Sequence, residues 1–296
     1  MPTLRVNDPG PLAQLWNRFL REKGFLSEAD WWTSPGVFTE ASKQATQAFQ
    51  VMLADAAKRN NSSVRIAVDG IPGNQTFGYA CAITDQDWLN PQAIAAAMDV
   101  DYPKRDSSLP DAGEKLQVAL FGEIVADPAP EKGKDAIRIV NGFDKEWIAP
   151  FEVPELATIT GSKAATTQLM HKKAARQIQA VFSAWAALGL LARITTFDGL
   201  WVPRYKRGLA PELSNHAWGT AFDINASANW LGHLPAFPGE NGSLLPLVPV
   251  AQDFCMGWGG LYRRRLDGMH FEVLKLMSIE EINAARTKYG LSNTLP

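Results

Sequence analysis

Residues 213–225 read LSNHAWGTAFDIN, and residues 266–273 read LDGMHFEV. The second segment alternates apolar and polar residues, which is typical of a strand with one buried face, and the first ends in a similar short run. The chain has four histidines, and each of these segments contains one of them together with an aspartate. This clustering is the main indication of where the protein carries out its chemistry.

The first segment must bend if its histidine and its aspartate are to act together. In one regular strand, side chains alternate between the two faces, so the odd offset from His216 to Asp223 would send them to opposite sides. Gly219 lies between them and permits a bend. We therefore predict that His216 lies on the approach to a strand over residues 220–224, which carries Asp223.

The second segment places a further carboxylate beside a histidine. If alternate residues of this strand face the core, His270 and Glu272 point to the other side. Gly268 allows Asp267 to turn toward whatever His270 binds.

Two imidazoles and one carboxylate would form a metal site of the catalytic kind. Three protein ligands leave a position open for water, whereas structural zinc sites use four. Zinc lowers the pKa of that water to about 7, and a nearby carboxylate can take its proton. Spacing alone does not decide the matter, since His and Asp in strands are as often hydrogen-bonded core or surface groups.

The two segments also resemble a known family, the zinc D-Ala-D-Ala carboxypeptidases and L-alanyl-D-glutamate peptidases. Its signature is Ser-x-His-x-x-Gly-x-Ala-x-Asp-Ile, followed later by Asp or Glu-x-x-His-Phe, and every fixed position has a match here. The resemblance extends from about residue 160 to about residue 277. It implies that His216, Asp223 and His270 bind Zn²⁺ and that Asp267 is the general base.

Three further residues enter the predicted site. The resemblance implies that Arg204, in GLWVPRYKRG, stabilises the carbonyl oxygen as it gains charge, although Lys206 and Arg207 are close alternatives. Ser214 is expected to hydrogen-bond near the metal or to substrate, or else to form a local turn. Trp258 could line the cleft or belong to the core.

The beginning of the chain resembles a second family, the peptidoglycan-binding domains of three short helices found in cell-wall hydrolases. The matching motifs are GVFTEASKQATQAFQ, residues 36–50, and AVDGIPGNQTF, residues 67–77. The resemblance covers about residues 8–82 and departs from the family in a longer connection over about residues 51–66. The alternative is a small helical domain whose glycines only form turns.

The sequence predicts an α+β protein with a small, mainly antiparallel sheet, packed helices and a zinc site, preceded by a small three-helix domain. We expect a peptidoglycan-binding-like domain over residues 1–84, a linker with a short helix over residues 85–115, and a zinc peptidase domain over residues 116–296. Within these we predict a helix over residues 91–98, strands in residues 116–125, 136–143 and 191–197, and a long helix over residues 162–188.

Composition excludes several classes of protein. The net charge of −2 and pI of about 6.1 leave no basic surplus for nucleic acid or anionic lipid, and no apolar run is long enough for membrane insertion. The two cysteines, Cys81 and Cys255, indicate neither a disulfide framework nor a four-cysteine zinc site. His171 and His233 have no partner at ligand spacing, so we interpret them as ordinary polar residues, His171 on the polar side of the long helix.

Together these features predict a zinc peptidase that cuts the peptide stem of bacterial peptidoglycan. Within the family, the Asp-x-x-His-Phe-Glu ending resembles the endopeptidases that cut L-Ala from D-Glu, whereas many carboxypeptidases have Glu in the first place, and the resemblance implies an L-alanyl-D-glutamate endopeptidase of endolysin type. The alternatives are a D-Ala-D-Ala carboxypeptidase and a non-catalytic wall-binding protein with a structural metal. We expect a monomer, made in the bacterial cytoplasm without a signal peptide, that reaches the wall by phage-type lysis or specialised export.

Overall fold

The structure is a computed structural model that describes residues 1–60, 62–84, 88–159, 165–263 and 265–292. Within these residues the chain has ten α-helices and eight short strands in antiparallel sheets, which confirms the predicted α+β class. The chain divides into two compact units. The first consists of Met1–Lys104, Asn229–Glu240 and Gly260–Gly268, and the second of Arg105–Ala228, Asn241–Gly259 and Met269–Pro296.

The first unit is built around a cluster of aromatic rings that several helices contribute. The Trp16 and Phe19 rings lie 5.0 Å apart, and Phe77 lies 4.8 Å from Trp16. Phe49 packs at 5.1 Å from Phe19, and all four side chains are fully buried. The helices are α1 Pro11–Glu22, α2 Glu28–Thr33, α3 Glu40–Arg59, α4 Asn74–Ile83 and α5 Pro91–Ala97. The three helices predicted before residue 84 correspond to α1, α3 and α4, and α5 was also predicted, whereas the six-residue α2 was not.

Helix α3 also holds the turn that leads into α4. The buried Gln50 side chain accepts hydrogen bonds from the backbone N–H groups of Asp69 and Gly70 at 3.1 and 2.8 Å. Its amide nitrogen donates to Asp69 Oδ1 and to the Ile71 carbonyl, each at 3.1 Å. The two motifs that carry the first resemblance in the sequence are therefore in direct contact.

Two later stretches of the chain return to the first unit. Leu234 N–H donates to the Asn74 carbonyl at 3.0 Å, and Tyr102 Oη donates to the Gly260 carbonyl at 2.8 Å. Gly78 lies so close to residue 232 that a Cβ there would be 2.3 Å from the Gly232 oxygen. This unit is therefore assembled from three separated parts of the sequence.

The second unit contains the remaining helices and all the strands. Its main sheet has four antiparallel strands in the order β5-β6-β8-β7. Two smaller two-stranded sheets pair β1 with β2 and β3 with β4. The elements are α6 Glu114–Phe121, β1 Ala126–Pro128, β2 Ile137–Ile139, α7 Phe143–Trp147, β3 Ile148–Glu152, β4 Thr167–His171, α8 Ala175–Ala187, β5 Phe197–Gly199, β6 Ala221–Ile224, α9 Val248–Asp253, β7 Met256–Trp258, β8 His270–Val273 and α10 Ile279–Lys288.

Helix α8 packs its apolar face on the four-stranded sheet. Phe182 lies 5.1 Å from Phe222 on β6, and Trp185 lies 5.5 Å from Phe271 on β8. Burial of these large side chains is the main stabilising contribution of this layer, at about 25 cal/mol per Å² of apolar surface. The helix therefore fixes the strands that carry the candidate site.

Several predicted elements of the second unit were wrong. Residues 114–121 form helix α6 rather than a strand, and its Gln117 is fully buried with hydrogen bonds to Thr220 and the Val273 carbonyl. Short apolar runs do not distinguish a strand from a buried helix, and here tertiary hydrogen bonds decide. The predicted strand at 191–197 is a 3-10 helix, Leu190–Arg193, followed by β5.

The long helix predicted over residues 162–188 is shorter. It begins at Ala175, because β4 precedes it and pairs with β3, and its end before Gly189 agrees with the prediction. The first residues of the predicted helix, 162–164, lie outside the described residues. No helix within the described ranges is both long and apolar enough to cross a bilayer.

Candidate metal centre

Strands β6 and β8 carry the first two residues of the site. The strands are antiparallel neighbours, and their register pairs Asp223 directly with His270. Directly opposite side chains in an antiparallel pair have Cβ atoms about 4.5–5.5 Å apart on the same face. The register alone therefore brings a carboxylate and an imidazole together from distant parts of the sequence.

His216 joins them from a 3-10 helix, Asn215–Trp218, that precedes β6. Gly219 ends this helix in the left-handed conformation, with φ of 66°, and a Cβ at this position would lie 3.0 Å from the His171 backbone nitrogen. Both its conformation and its surroundings favour glycine. The bend that the sequence predicts at Gly219 is therefore present, and it turns His216 toward Asp223.

The three side chains place one donor atom each at nearly equal separations. His216 Nε2 lies 3.2 Å from Asp223 Oδ1 and 3.1 Å from His270 Nδ1, and His270 Nδ1 lies 3.1 Å from Asp223 Oδ1. Ligands at about 2.0–2.1 Å from a tetrahedral zinc ion are about 3.3 Å apart. The donor set and its spacing therefore fit a zinc ion, and the cluster can hold a metal.

The hydrogen bond of His216 to the backbone sets its tautomer. Its Nδ1 lies 2.7 Å from the Leu200 carbonyl oxygen, which can only accept a hydrogen bond. Nδ1 therefore carries the proton, and the lone pair of Nε2 is left for a metal ion. The Leu200 carbonyl acts as the outer partner that metal-binding histidines commonly have.

The carboxyl group of Asp223 is ionised at neutral pH. Burial by itself raises its pKa, but the adjacent His216 and His270 lower it by more in sum, so the pKa is well below the ordinary value. A metal ligand of this type must be deprotonated. Asp223 is therefore held in the form that binds a metal ion.

Arg204 and Ser214 are neighbours through the backbone. The Ser214 N–H donates to the Arg204 carbonyl at 3.0 Å, and the Arg204 guanidinium donates to the Tyr205 carbonyl at 3.2 Å. Lys206, one of the alternatives to Arg204, forms an ion pair with Glu212 at 3.1 Å. Ser214 is buried at the start of the 3-10 helix. The roles predicted for Arg204 and Ser214 stay predictions.

Asp267 lies three residues before His270 in the sequence and belongs to the first unit, whereas the three donor residues belong to the second. Gly268 also lies in a tight place, because a Cβ there would lie 2.9 Å from the Pro235 side chain and 3.2 Å from the Asn229 Cβ. Its small size permits close packing within the first unit. The role of Asp267 as a base stays a prediction.

Trp258 lies on β7, opposite Phe271, and its side chain is 2% exposed. Little of its surface is available to a substrate, so the structure agrees better with the alternative that it belongs to the core. Its predicted part in substrate binding stays a prediction.

His171 is not on the polar side of a helix, as the sequence suggested, but fully buried at the end of β4. Its ring stacks on Trp147 at 5.3 Å and meets Phe121 edge-on at 4.9 Å. Burial, followed by the charge of the nearby Lys173, lowers its pKa to about 4. Burial also lowers the pKa of His233. His171 is thus a neutral core residue.

Two polar residues next to the donors were not found from the sequence. Asn215 and Glu272 are both buried, and the Asn215 amide donates a hydrogen bond to Glu272 Oε2. The predicted strand did place Glu272 on the same face as His270, but nothing in the sequence indicated its partner. Their contact depends on the register of the folded sheet.

Comparison with known proteins agrees with this geometry. A family model described as D-alanyl-D-alanine carboxypeptidase matches residues 208–273, a range that contains all three donor residues. The match supports a peptidase of the zinc-dependent class, and hence a hydrolase. No curated protein and no solved structure matches the chain.

Proposed function

We propose that this protein is a zinc metallopeptidase that hydrolyses the peptide stem of bacterial peptidoglycan, as an L-alanyl-D-glutamate endopeptidase of endolysin type. The observation that carries the proposal is the group of three buried donors, separated by 3.1–3.2 Å, within the residues that the peptidase family model matches. Three ligands leave a coordination position for the reaction, which a structural site would fill with a fourth protein ligand.

The chain's own residues divide the work of the reaction. His216, Asp223 and His270 hold the ion, with the Leu200 carbonyl fixing the tautomer of His216. When bound, zinc acidifies water and polarises the carbonyl of the bond to be cut.

Two further residues have proposed roles that rest on the family resemblance. Asp267 accepts a proton from the attacking water and returns it to the leaving amine, as a general base and then a general acid. Arg204 stabilises the negative charge that develops on the carbonyl oxygen of the substrate.

The choice of bond rests on a small difference in the motif. In Asp-Gly-Met-His-Phe-Glu, residues 267–272, the first position is Asp, as in the endopeptidases that the segment resembles. A D-Ala-D-Ala carboxypeptidase is the second candidate, because the matching family model carries that description. Both reactions use the same three ligands and differ in the end of the stem peptide that is bound.

We further propose that the first unit binds the wall. Its support is the contact between the two motifs of the peptidoglycan-binding resemblance, in which Gln50 holds the Asp69–Gly70 turn by four hydrogen bonds to residues 69–71. A binding unit on an insoluble substrate raises the effective concentration of bonds near the metal centre. The substrate lies outside the cytoplasmic membrane, so the enzyme reaches it by phage-type lysis or by export, and we expect it to act as a monomer.

The test is a digest of purified peptidoglycan with the wild type and with Asp267→Ala, followed by mass spectrometry of the products. New D-Glu amino termini are the expected result for the wild type and identify the endopeptidase. Released D-Ala would instead identify the carboxypeptidase. Asp267→Ala is expected to lose most activity while keeping zinc, since it removes a proton acceptor and no ligand.

The matched control is Asp55→Ala, an aspartate on α3 whose side chain is 51% exposed, which is expected to cut like the wild type. If the wild type with one zinc per chain releases no fragment from several wall types, the enzyme proposal is wrong and a structural metal is the better interpretation. If Asp267→Ala is as active as the wild type, the general base is another residue.

A further inference from the structure

Glu272, on β8, is a buried carboxylate that does not belong to the group of three donors. Glu272 is 0% exposed and lies two residues after His270, so both side chains are on the same face of the sheet. The register of β6 and β8 pairs Glu272 with Ala221, two residues along from the pair of Asp223 and His270. A carboxylate is costly to bury, so its presence here calls for a partner and a purpose.

Asn215 is a partner of this carboxylate. It is 6% exposed, its amide nitrogen donates to Glu272 Oε2, and it immediately precedes His216 at the start of the 3-10 helix. The bond thus connects the segment that carries His216 to the strand that carries His270.

The other end of the 3-10 helix is tied into the same buried network. Thr220 Oγ1 donates to Gln117 Oε1 at 2.7 Å, and Gln117 Nε2 donates to the Val273 carbonyl on β8 at 3.2 Å. Thr220 and Gln117 are both fully buried. The segment between Asn215 and Thr220 is therefore fastened to β8 at each end.

The ring of His216 has a second restraint, but that restraint does not reach β8. Its Nδ1 bonds to the Leu200 carbonyl, and its own carbonyl accepts from the Val202 N–H at 3.1 Å. These bonds fix His216 relative to residues 200–202. The distance from His216 to His270 then depends on what connects the 3-10 helix to β8.

We propose that Asn215 and Glu272 are positioning residues for the metal ligand His216. Their hydrogen bond holds the 3-10 helix against β8, so that two ligands 54 residues apart in the sequence stay 3.1 Å apart before a metal binds. The inference rests on the proposed zinc peptidase, and it adds two residues that are not among the three donors. Outer-shell partners of this type typically change metal affinity by about 10–100-fold when removed.

The test measures zinc affinity by competition with a chromophoric chelator, together with kcat and KM on a soluble stem peptide. We expect Asn215→Ala to raise the zinc Kd by about 10–100-fold and, at saturating zinc, to lower kcat with little change in KM. The control is Asn141→Ala, which also removes an asparagine amide that donates a hydrogen bond, here to the Glu123 backbone carbonyl at an exposed site, and it should bind zinc like the wild type.

Exchanging the amide and the carboxylate between positions 215 and 272 tests whether weaker zinc binding comes from loss of this hydrogen bond or from misfolding. Asn215→Asp alone sets two carboxylates against each other and is expected to weaken zinc binding most. Asn215→Asp combined with Glu272→Gln keeps the total charge and lets the new amide donate to the new carboxylate. We expect the combined variant to bind zinc within a few-fold of the wild type, because two neighbouring residues that act through one bond have coupled effects. Thermal unfolding without metal reports the folded fraction of each variant.

The possible results distinguish failure of the proposed function from failure of the positioning inference. A wild type that binds no zinc overturns the proposed function. A wild type that binds zinc, with a folded Asn215→Ala that binds it equally tightly, overturns the positioning inference alone. If the combined variant is no better than Asn215→Asp, the two residues do not act through their hydrogen bond, and the inference is also wrong.

Discussion

The two compact units of the chain differ in how their parts are arranged along the sequence. The candidate metal centre in the second unit draws its donor residues from two short motifs, and an antiparallel register aligns Asp223 with His270. The first unit is completed by residues 229–240 and 260–268, which follow long after Met1–Lys104 in the sequence and of which only the last three belong to a motif. A site made of motifs can be found from sequence, whereas a unit made of separated stretches cannot.

The largest effect is expected from removing one of the three donor residues in the second unit. His216→Ala removes a ligand, and because loss of an outer partner already costs about 10–100-fold, we expect peptidase activity to fall by at least about 100-fold. Zinc per chain, measured by elemental analysis after dialysis, should fall below one. His233→Ala removes a histidine of the first unit and should keep both zinc and activity. Equal zinc content in the two variants would contradict the ligand assignment.

A substitution of Gly78, in α4, tests whether residues 229–240 are part of the first unit. The Cβ of Gly78→Ala would lie 2.3 Å from the Gly232 oxygen, a backbone atom that cannot move alone. We expect a loss of about 1–3 kcal/mol in the free energy of unfolding, measured by urea denaturation with tryptophan fluorescence. Gly36→Ala is the control, because nothing lies within 4 Å of its added Cβ. A harmless Gly78→Ala would mean that the return segment does not pack there.

The Asp69–Gly70 turn of the first unit gives a test in which the expected loss of stability is similar or smaller. Gln50→Ala leaves the buried N–H of Gly70 without its acceptor, which costs about 1–3 kcal/mol. In an Asp267→Ala background, which is expected to leave the wall intact, the variant should pellet less with insoluble peptidoglycan. Gln44→Ala, an exposed residue of the same helix, should pellet like its parent. Undiminished pelleting of a destabilised Gln50 variant would separate this turn from wall binding.

The smallest expected effect is the pH dependence of stability that His171, in the second unit, contributes. His171 is buried in neutral form and its pKa is lowered to about 4, so the unfolded chain binds a proton below about pH 6.5 that the folded chain does not. Stability from this residue is therefore complete above about pH 6.5 and decreases as the pH falls toward 4. We expect this loss to be on the order of 1 kcal/mol between pH 6.5 and 5.

The measurement is thermal unfolding at several pH values for the wild type and His171→Gln. The variant lacks the titrating ring, so its stability should fall less steeply between pH 6.5 and 4. Parallel curves for the two proteins would contradict the assignment of a neutral buried histidine.

Predictions from local sequence patterns are correct for those helices that are determined mainly by contacts within the helix and its ends. The three short helices near the start of the chain, the helix near residues 91–98 and the end of the long helix at residue 188 were predicted, and the corresponding elements are present. The run at 116–121 was misinterpreted because Gln117 finds its partners across the unit, in Thr220 and at Val273. Residues 167–171 pair with β3, a contact that periodicity does not contain.

The same distinction applies to the site. His216, Asp223 and His270 could be predicted because their motifs constrain residue type and spacing, and the structure brings their donor atoms together. Asn215 and Glu272 become partners only when β6 and β8 are aligned, so their sequence positions carried no sign of the bond. His171 was misjudged because its environment is set by Trp147 and Phe121, which reach it through tertiary packing.

The divided first unit has a consequence for synthesis on the ribosome. When residue 104 has been made, the segments that supply Gly232, Leu234 and Gly260 to this unit do not yet exist. At about 5–20 residues per second, translation needs roughly 10–30 s to reach residue 268. During that time the nascent first unit keeps apolar surface open, including the Tyr102 ring that later packs against Phe237. The part of the chain that is made first is therefore completed late.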